Sequence, residues 1–470
     1  MTTDTLHGRA AAPAADRRFY LAAWRWHFYA GLYVAPFLVM LAVTGLMMLY
    51  ISAFSGRDGE KIAVAVPAQA HVLAVATQAD AALGAVPGGR LVEWIKPDRD
   101  DRASVFRIAS EGVQKMVAVD PYTGKVLESW DRRDGWYDFA DNIHGTLLIG
   151  DAGDRLIEIA AGFGIVLVIT GLYLWWPRGE SWANVLLART AGNGRNRWKG
   201  LHRAVGFYIS ALLVVFLLSG MSWTGIWGEK FVQAWSTFPA EKWDNVPLSD
   251  DIHAAMNHGG PKNVPWALEQ TPMPASGSQA GVQGIAPGTP VTIDAIDGLA
   301  ARLGYQGRFR VSFPAGETGV WTINQDTMSN DAETPTSDRT VHVDRHTGRI
   351  LADVGFADYS LAGKAMAVGI AFHEGDMGLW NIALNTLFCL AVVFMSISGL
   401  AMWWMRRPAR AGARLFTPRV PGGIPHWRSA MLVMLVVSLA FPLVGLTLVA
   451  VMALDLLVLA RVPMLRKVFA

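Results

Sequence analysis

Four stretches of the chain, at about 27–50, 156–176, 203–227 and 379–404, stay apolar long enough to cross a bilayer core of about 30 Å, which takes roughly 20 helical residues. Four such runs cannot all be buried in a water-soluble fold of this size, so the chain reads as an integral membrane protein. Composition agrees: of 470 residues, 52% are hydrophobic and 17% charged. A fifth run, about 429–460, holds Pro442 and Asp455 and is expected as one tilted or kinked helix. The formal net charge of +2, with no basic run in a soluble segment, argues against nucleic acid as a partner. The single cysteine, Cys389, lies in an apolar run, which excludes disulfides, thiolate metal sites and iron–sulfur clusters within one chain. Metal chemistry must therefore use His, Asp, Glu or a cofactor.

The loop 177–203 carries Arg178, Arg189, Arg195, Arg197, Lys199 and Arg203, and the loop 405–428 carries Arg406, Arg407, Arg410, Arg414, Arg419 and Arg428. Both are expected on the cytoplasmic side, with the long segments 51–155 and 228–378 on the other. Arg461, Arg466 and Lys467, after the fifth run, break the pattern and leave the C-terminal topology open. Residues 1–24 hold Arg9, Arg17 and Arg18 and no apolar core, and read as a cytoplasmic tail rather than a signal peptide. Trp175-Trp176 and Trp403-Trp404, just before basic residues, read as interfacial belts.

The chain repeats itself. HFYAGLY at 27–33 and HRAVGFY at 202–208 each place a glycine four residues and a tyrosine six residues after a histidine, and each opens an apolar run. VAVDPYTGKVL at 117–127 and VHVDRHTGRIL at 341–351 each read as two strands joined by a tight Thr-Gly turn. One unit runs His27, helix, outer domain, His144, helix, Trp175-Trp176. The other runs His202, helix, outer domain, His373, helix, Trp403-Trp404. Residues 228–290, rich in Pro, Gly and Ser, have no counterpart and read as a linker or exposed loop.

Four of the eleven histidines thus hold repeat-related positions: His27 and His202 at one depth, His144 and His373 at another. A single histidine at a membrane edge is ordinarily an anchor, but duplicated ionisable groups at the bilayer point to function. Two imidazoles facing each other across a helical bundle suit the axial positions of a haem iron. A proton relay also uses histidine, but ordinarily with intramembrane carboxylates, which the first four runs almost lack. Gly31 and Gly206 lie one turn from His27 and His202 on the same helix face, where a missing side chain makes room for a flat macrocycle. Gly45 and Gly220 fall 18 residues after the same histidines, about 27 Å along a helix, and so belong to the level of the second pair. Gly171 and Gly399 belong to the level of the first. Small residues also simply let helices approach. With both axial positions filled, electron transfer rather than oxygen binding is the expected task, and His426 is an alternative ligand at the first level. His253, His258, His342 and His346 read as solvated loop residues, with contact to an iron chelate as the sharper alternative. Trp130, Trp136, Trp223 and Trp227 read as interfacial packing, or else as a cleft or electron path. No GxGxxG, phosphate loop, HExxH or Ser/His/Asp pattern occurs, so electrons must come from a separate cytoplasmic donor or from quinol.

On these residues the sequence resembles bacterial inner-membrane proteins with PepSY-associated transmembrane helices, the group that includes iron-regulated membrane proteins and ferric-siderophore reductases. The resemblance runs from His27 to Trp404. It rests on the His-x3-Gly-x-Tyr openings, the two Val-Asp-x-x-Thr-Gly-[Lys/Arg] hairpins, IHGTLLIG at 143–150 and GLYLWW at 171–176. AFHEGDMG, around His373, departs from the first of these segments. The resemblance implies two haem b groups held by the four histidines, reduction of a periplasmic ferric siderophore and release of ferrous iron. The expected fold is a membrane α-helical one: a duplicated four-helix transmembrane core, a C-terminal fifth helix and two periplasmic α+β PepSY domains. In chain order the expected parts are a tail (1–24), the first span (25–50), the first PepSY domain (51–135), a ligand segment (136–155) and the second span (156–177). A cytoplasmic loop (178–200), the third span (201–227), an extended loop (228–290), the second PepSY domain (291–358) and a second ligand segment (359–378) follow. The fourth span (379–405), a second cytoplasmic loop (406–427), the fifth helix (428–461) and a tail (462–470) complete the chain. A haem-free PepSY regulator that binds peptides or peptidases, and an electron-transfer subunit of another periplasmic reductase, remain as alternatives.

Overall fold

The protein is described by a computed structural model over residues 14–178, 181–187, 194–234, 245–257, 264–408 and 428–454. His258, His426, Arg9, Arg189, Arg410, Arg414, Arg419, Asp455, Arg461, Arg466 and Lys467 lie outside these residues.

Four helices are long and apolar enough to cross a membrane: α1 (Ala14–Phe54), whose apolar part begins at Arg18, then α4 (Asp151–Trp175), α6 (Arg195–Met221) and α9 (Leu379–Arg406). Between them stand the shorter helices α2 (Val75–Gly84), α3 (Trp136–Thr146), α5 (Trp182–Leu186), α7 (Ile293–Arg302) and α8 (Leu361–Glu374). The third span ends at Met221, six residues earlier than the hydropathy suggested. In the following Ser-Trp-Thr-Gly stretch the Thr224 hydroxyl accepts from the Gly228 N–H, a local bond that competes with α-helix, and a π-helix takes over at Trp227–Gln233.

The chain divides into two units. One comprises residues 1–42, 151–221 and 388–470 and is helical. Its helices meet through small residues. A Cβ on Gly164 would lie 2.9 Å from Leu217, and a Cβ on Gly162 would overlap Val444, so glycine is what allows α4 to approach its neighbours. The fifth apolar run, expected as one helix, is two: α10 (Arg428–Ala440) and α11 (Pro442–Leu454). Pro442 has no N–H to continue the helix. The chain folds back sharply there, for a Cβ on Gly445 would stand 2.9 Å from that of Ser438. Val437 and Val444, on either side of this turn, pack with Val166 of α4.

The other unit, residues 43–150 and 222–387, is α+β. Its strands are β1 (Arg90–Ile95), β2 (Ser104–Ser110), β3 (Val113–Val119), β4 (Val126–Asp131), β5 (Leu248–Ile252), β6 (Pro272–Pro274), β7 (Val282–Gln283), β8 (Arg310–Ser312), β9 (Trp321–Gln325), β10 (Arg339–Val343) and β11 (Arg349–Gly355). The two α+β domains expected at 51–135 and 291–358 are not separate. Their strands form one nine-stranded sheet in the order β4-β3-β2-β1-β8-β9-β10-β11-β7, joined where β1 pairs antiparallel with β8. Each half runs helix then four strands, α2-β1-β2-β3-β4 and α7-β8-β9-β10-β11. The two Thr-Gly hairpins form as read. Asp120 accepts from the Tyr122 and Thr123 N–H groups, Asp344 accepts from those of His346 and Thr347, and Gly124 and Gly348 supply the positive φ that the turns require.

Strand alternation gives the sheet two different faces. Trp94, Phe106, Val311 and Ile323 join residues of α2 and α7 in one apolar core. Glu93, Arg107 and Arg310 lie on the other face, buried beneath residues 57–60, which follow α1. Arg107 meets Glu93 at 2.8 Å, and Arg310 reaches Asp58 at 3.1 Å, Glu93 at 3.5 Å and Asp331 at 3.2 Å. Although burial opposes it, Arg132, Arg310, Arg57 and Arg107 hold the Asp58 carboxyl well below its ordinary range. The segment 228–290 is not simply an exposed loop: Trp266, Leu268 and Thr271 are buried, and β7 extends the sheet beside β11. Removing Arg310 strips three buried carboxylates of a shared cation. Arg310→Ala is therefore expected to destabilise this unit by about 3–5 kcal/mol, read as a lowered denaturation midpoint of the purified protein; a midpoint equal to that of the unaltered chain contradicts the network's role.

Candidate functional site: two histidine pairs

In the helical unit His27 of α1 and His202 of α6 come together with ring centroids 6.5 Å apart and planes at 89°. Each ring is held from behind by a different helix. His27 Nδ1 lies 3.0 Å from the Thr170 hydroxyl of α4, and His202 Nδ1 lies 2.7 Å from the Ser398 hydroxyl of α9. Both hydroxyls have already committed their single hydrogen to their own helix: Thr170 donates to the Val166 carbonyl at 2.7 Å and Ser398 to the Met395 carbonyl at 3.0 Å. A hydroxyl whose proton is spent can only accept. The imidazoles must therefore be Nδ1–H tautomers, which leaves the lone pair on Nε2. No described residue hydrogen-bonds to Nε2 of either ring.

The residue after each hydroxyl is glycine, for a reason visible in the same contacts. A Cβ on Gly171 would sit 3.2 Å from His27 Cε1, and one on Gly399 would sit 3.7 Å from His202 Cε1. Gly31 and Gly206 lie one turn from the histidines but border other side chains. A Cβ on Gly31 would reach Leu167 at 3.7 Å, and one on Gly206 would press on Met395 at 2.8 Å.

The α+β unit holds the second pair. His144 and His373 occupy the last turns of α3 and α8, with ring centroids 6.3 Å apart and planes at 87°. The Thr44 hydroxyl of α1 lies 2.9 Å from His144 Nδ1, and a Cβ on Gly45 would be 3.6 Å from His144 Cε1. α8 ends at Gly375, whose φ is +91°. The buried Asn381 and Asn385 donate to the Phe372 carbonyl, and Asn385 also to that of His373. This capping fixes the turn that carries His373 despite the divergent AFHEGDMG sequence. Gly220, expected at this pair, stands in the last turn of α6 in the helical unit, next to Ser219, whose hydroxyl donates to the Val215 carbonyl.

A third histidine pair gives the internal comparison. His253 and His342, expected to be solvated, are buried within the α+β unit, with Nε2 atoms 2.9 Å apart and ring centroids at 4.9 Å. The Thr271 carbonyl can only accept, so His253 carries Nδ1–H and its Nε2 accepts from His342. Thr322 then donates to His342 Nδ1 at 2.9 Å, and the chain is satisfied with both rings neutral. His346 is exposed as expected.

Centroids at 4.9 Å mark a direct hydrogen bond; those at 6.5 and 6.3 Å are too far apart for one. An ion bound at about 2.0–2.1 Å from each of two opposed nitrogens, with each ring centre about 1.2 Å further back, sets the centres about 6.4 Å apart. Both pairs match that spacing. Among the described residues no three His, Cys, Asp or Glu side chains gather as a metal site. Two imidazoles are therefore the whole protein donor set, too few for a structural zinc site, which takes four protein ligands.

The paired serine and threonine residues were missed in the sequence reading, although Thr-Gly or Ser-Gly recurs once per span, at 44–45, 170–171, 219–220 and 398–399. Of the four tryptophans noted there, Trp136 is exposed, while Trp130, Trp223 and Trp227 pack into the α+β unit.

A family model described as the PepSY-associated TM region matches residues 24–406. No curated protein matches the chain.

The His253–His342 pair also sets a pH dependence. Burial lowers His253 from 6.5 to about 4, against a smaller opposing effect of its Thr271 bond, and burial with His253 alongside lowers His342 further. Between about pH 4 and 6.5 the unfolded chain binds more protons than the folded one, so stability rises with pH through that window. The contribution is complete above pH 6.5 and is lost as pH falls toward 4. Denaturation midpoints measured from pH 4 to 7.5 should show this slope, and a His253→Phe/His342→Phe double variant should flatten it; an unchanged slope in that variant contradicts the assignment.

Proposed function

The chain belongs to the family of PepSY-associated membrane proteins, and on that premise we propose that it holds two haem b groups and passes electrons across the bacterial inner membrane to a ferric chelate. The observation that carries this reading is the spacing of two histidine pairs, 6.5 and 6.3 Å between perpendicular rings, with no third metal-ligating side chain gathered at either pair among the described residues. Two ligands fit a group that brings its own four equatorial nitrogens. His27 and His202 would hold one haem, His144 and His373 the other. Held by these residues, haem would supply one-electron exchange between ferric and ferrous iron.

What the chain's own residues contribute is preorganisation. Thr170, Ser398 and Thr44 fix ring orientation through their hydroxyls at Nδ1, and by accepting Nδ1–H from His27 and His202 the first two raise the basicity of Nε2. Gly171, Gly399 and Gly45 let those rings lie against the helix backbone.

Orientation follows from the arginine-rich loops 177–203 and 405–428, placed in the cytoplasm by the positive-inside rule, which assigns the nine-stranded sheet to the periplasm. The donor is quinol or a cytoplasmic reductant, since the sequence carries no nucleotide-binding motif of its own. The acceptor, a ferric siderophore in the periplasm, is supported by the resemblance carried by His27 to Trp404. The chain's part is then that of a membrane oxidoreductase whose product is ferrous iron.

Protein purified from haem-replete cells is expected to be red and to contain two haems per chain. Single substitution of His27, His202, His144 or His373 by alanine is expected to remove about one of the two. Dithionite-reduced protein should be reoxidised by ferric siderophores in stopped flow, with ferrous iron captured by a chromogenic chelator. A colourless preparation, or full haem content in the His27→Ala and His202→Ala variants, contradicts the haem assignment. Red protein that no ferric chelate reoxidises contradicts only the acceptor.

A further inference from the structure

Trp175 and Trp176 read in the sequence as one interfacial pair, but the structure separates them. Trp176 is 57% exposed, whereas Trp175 is 5% exposed, its indole stacked on Phe207 of α6 with centroids 4.0 Å apart and planes at 8°. The buried Trp175 Nε1–H has no hydrogen-bond partner among the described residues. A buried donor left unpaired costs about 1–3 kcal/mol, and an apolar ring of phenylalanine would stack on Phe207 without that cost. The indole nitrogen therefore calls for an acceptor that the described residues do not supply.

Its place in the fold identifies the acceptor. Trp175 lies four residues after Gly171 on α4, one turn along the same helix face, and Gly171 is the residue against which His27 rests. Arg203, the residue after His202, donates from Nη2 to the Trp175 carbonyl at 3.4 Å. Trp175 is thus tied to α6, the helix of His202, one turn from the glycine that borders His27, and Arg203 brings a cation to the same place. The same spacing recurs on α9, where Trp403 follows Gly399 by four residues and Arg407 stands over its ring at 5.1 Å. We propose that the Trp175 indole N–H donates to a carboxylate of the tetrapyrrole held by His27 and His202, making Trp175 a positioning residue for that cofactor. This rests on the haem reading above.

A donor on a carboxylate damps its negative charge and lowers its pKa. Removing the donor lets that charge favour ferric iron and raises the pH at which the carboxylate titrates. The test is Trp175→Phe in the full-length protein, which keeps the stack on Phe207, with Trp176→Phe as control. Redox titration from pH 5 to 9 is the readout. Two haems per chain should remain in both variants. In Trp175→Phe the midpoint potential belonging to the haem lost in His27→Ala should fall and its pH-dependent step should move upward, with the other potential unmoved. A tenfold change in that reduction equilibrium corresponds to about 59 mV for one electron. Trp176→Phe should leave both potentials in place. Two retained haems with both potentials and pH profiles unchanged in Trp175→Phe overturn this inference alone, and assign the acceptor to a lipid phosphate or water. Should Trp175→Phe not accumulate, Trp175→Tyr, whose hydroxyl reaches elsewhere, is read the same way. Unaltered protein without haem overturns the underlying reading instead.

Discussion

The hydrogen bond from an imidazole Nδ1–H to a hydroxyl that has already spent its own hydrogen is the interaction on which the site depends. Inside a bilayer every polar group must find a partner within the protein. Thr170 and Ser398 meet that demand twice over, donating to the preceding turn of their own helix and accepting from a histidine of another. The consequence is directional. Neither His27 nor His202 can turn its ring over without stranding an N–H, so each presents Nε2 and its lone pair as the free end. Two helices supply the histidines and two others supply the supports, which ties all four spans into one arrangement.

Spacing then separates the two open histidine pairs from the directly bonded one. Among the described residues three buried or part-buried histidine pairs occur, and the one that bonds directly has its ring centres 4.9 Å apart. The other two stand at 6.5 and 6.3 Å with planes nearly perpendicular, a gap of the size a single ion would take and one that leaves a hydrogen bond stretched beyond use. Glycine makes the gap possible by letting each supported ring sit back against helix backbone. The same residues that would look like mere packing notches are thereby spacers for the imidazoles.

Much of this was legible in the sequence because periodicity and duplication are strong signals. The four apolar runs, the Thr-Gly hairpins and the two histidine pairings all came from pattern and spacing. What was not legible depended on pairings between distant segments. That β1 and β8 join two domains into one sheet is set by strand edges, which hydropathy does not encode. Burial of His253 and His342 follows from a cover formed by a stretch whose Pro, Gly and Ser content suggested a loop. Pro442 signalled a bend in the fifth apolar run, but the reversal there depends on Gly445 meeting Ser438. The hydroxyl before each glycine was in plain view four times, and was overlooked because serine and threonine in apolar helices ordinarily bond back to their own turn, as these also do.

Low-temperature electron paramagnetic resonance of the purified, oxidised protein tests the central claim most directly, because it reads the axial ligands and their relative orientation without reference to any substrate. Paired neutral imidazoles with planes at 89° and 87° predict two low-spin ferric signals of the strongly anisotropic kind that perpendicular axial rings produce. A spectrum without low-spin ferric iron, or one dominated by high-spin iron with an open axial position, would contradict the account.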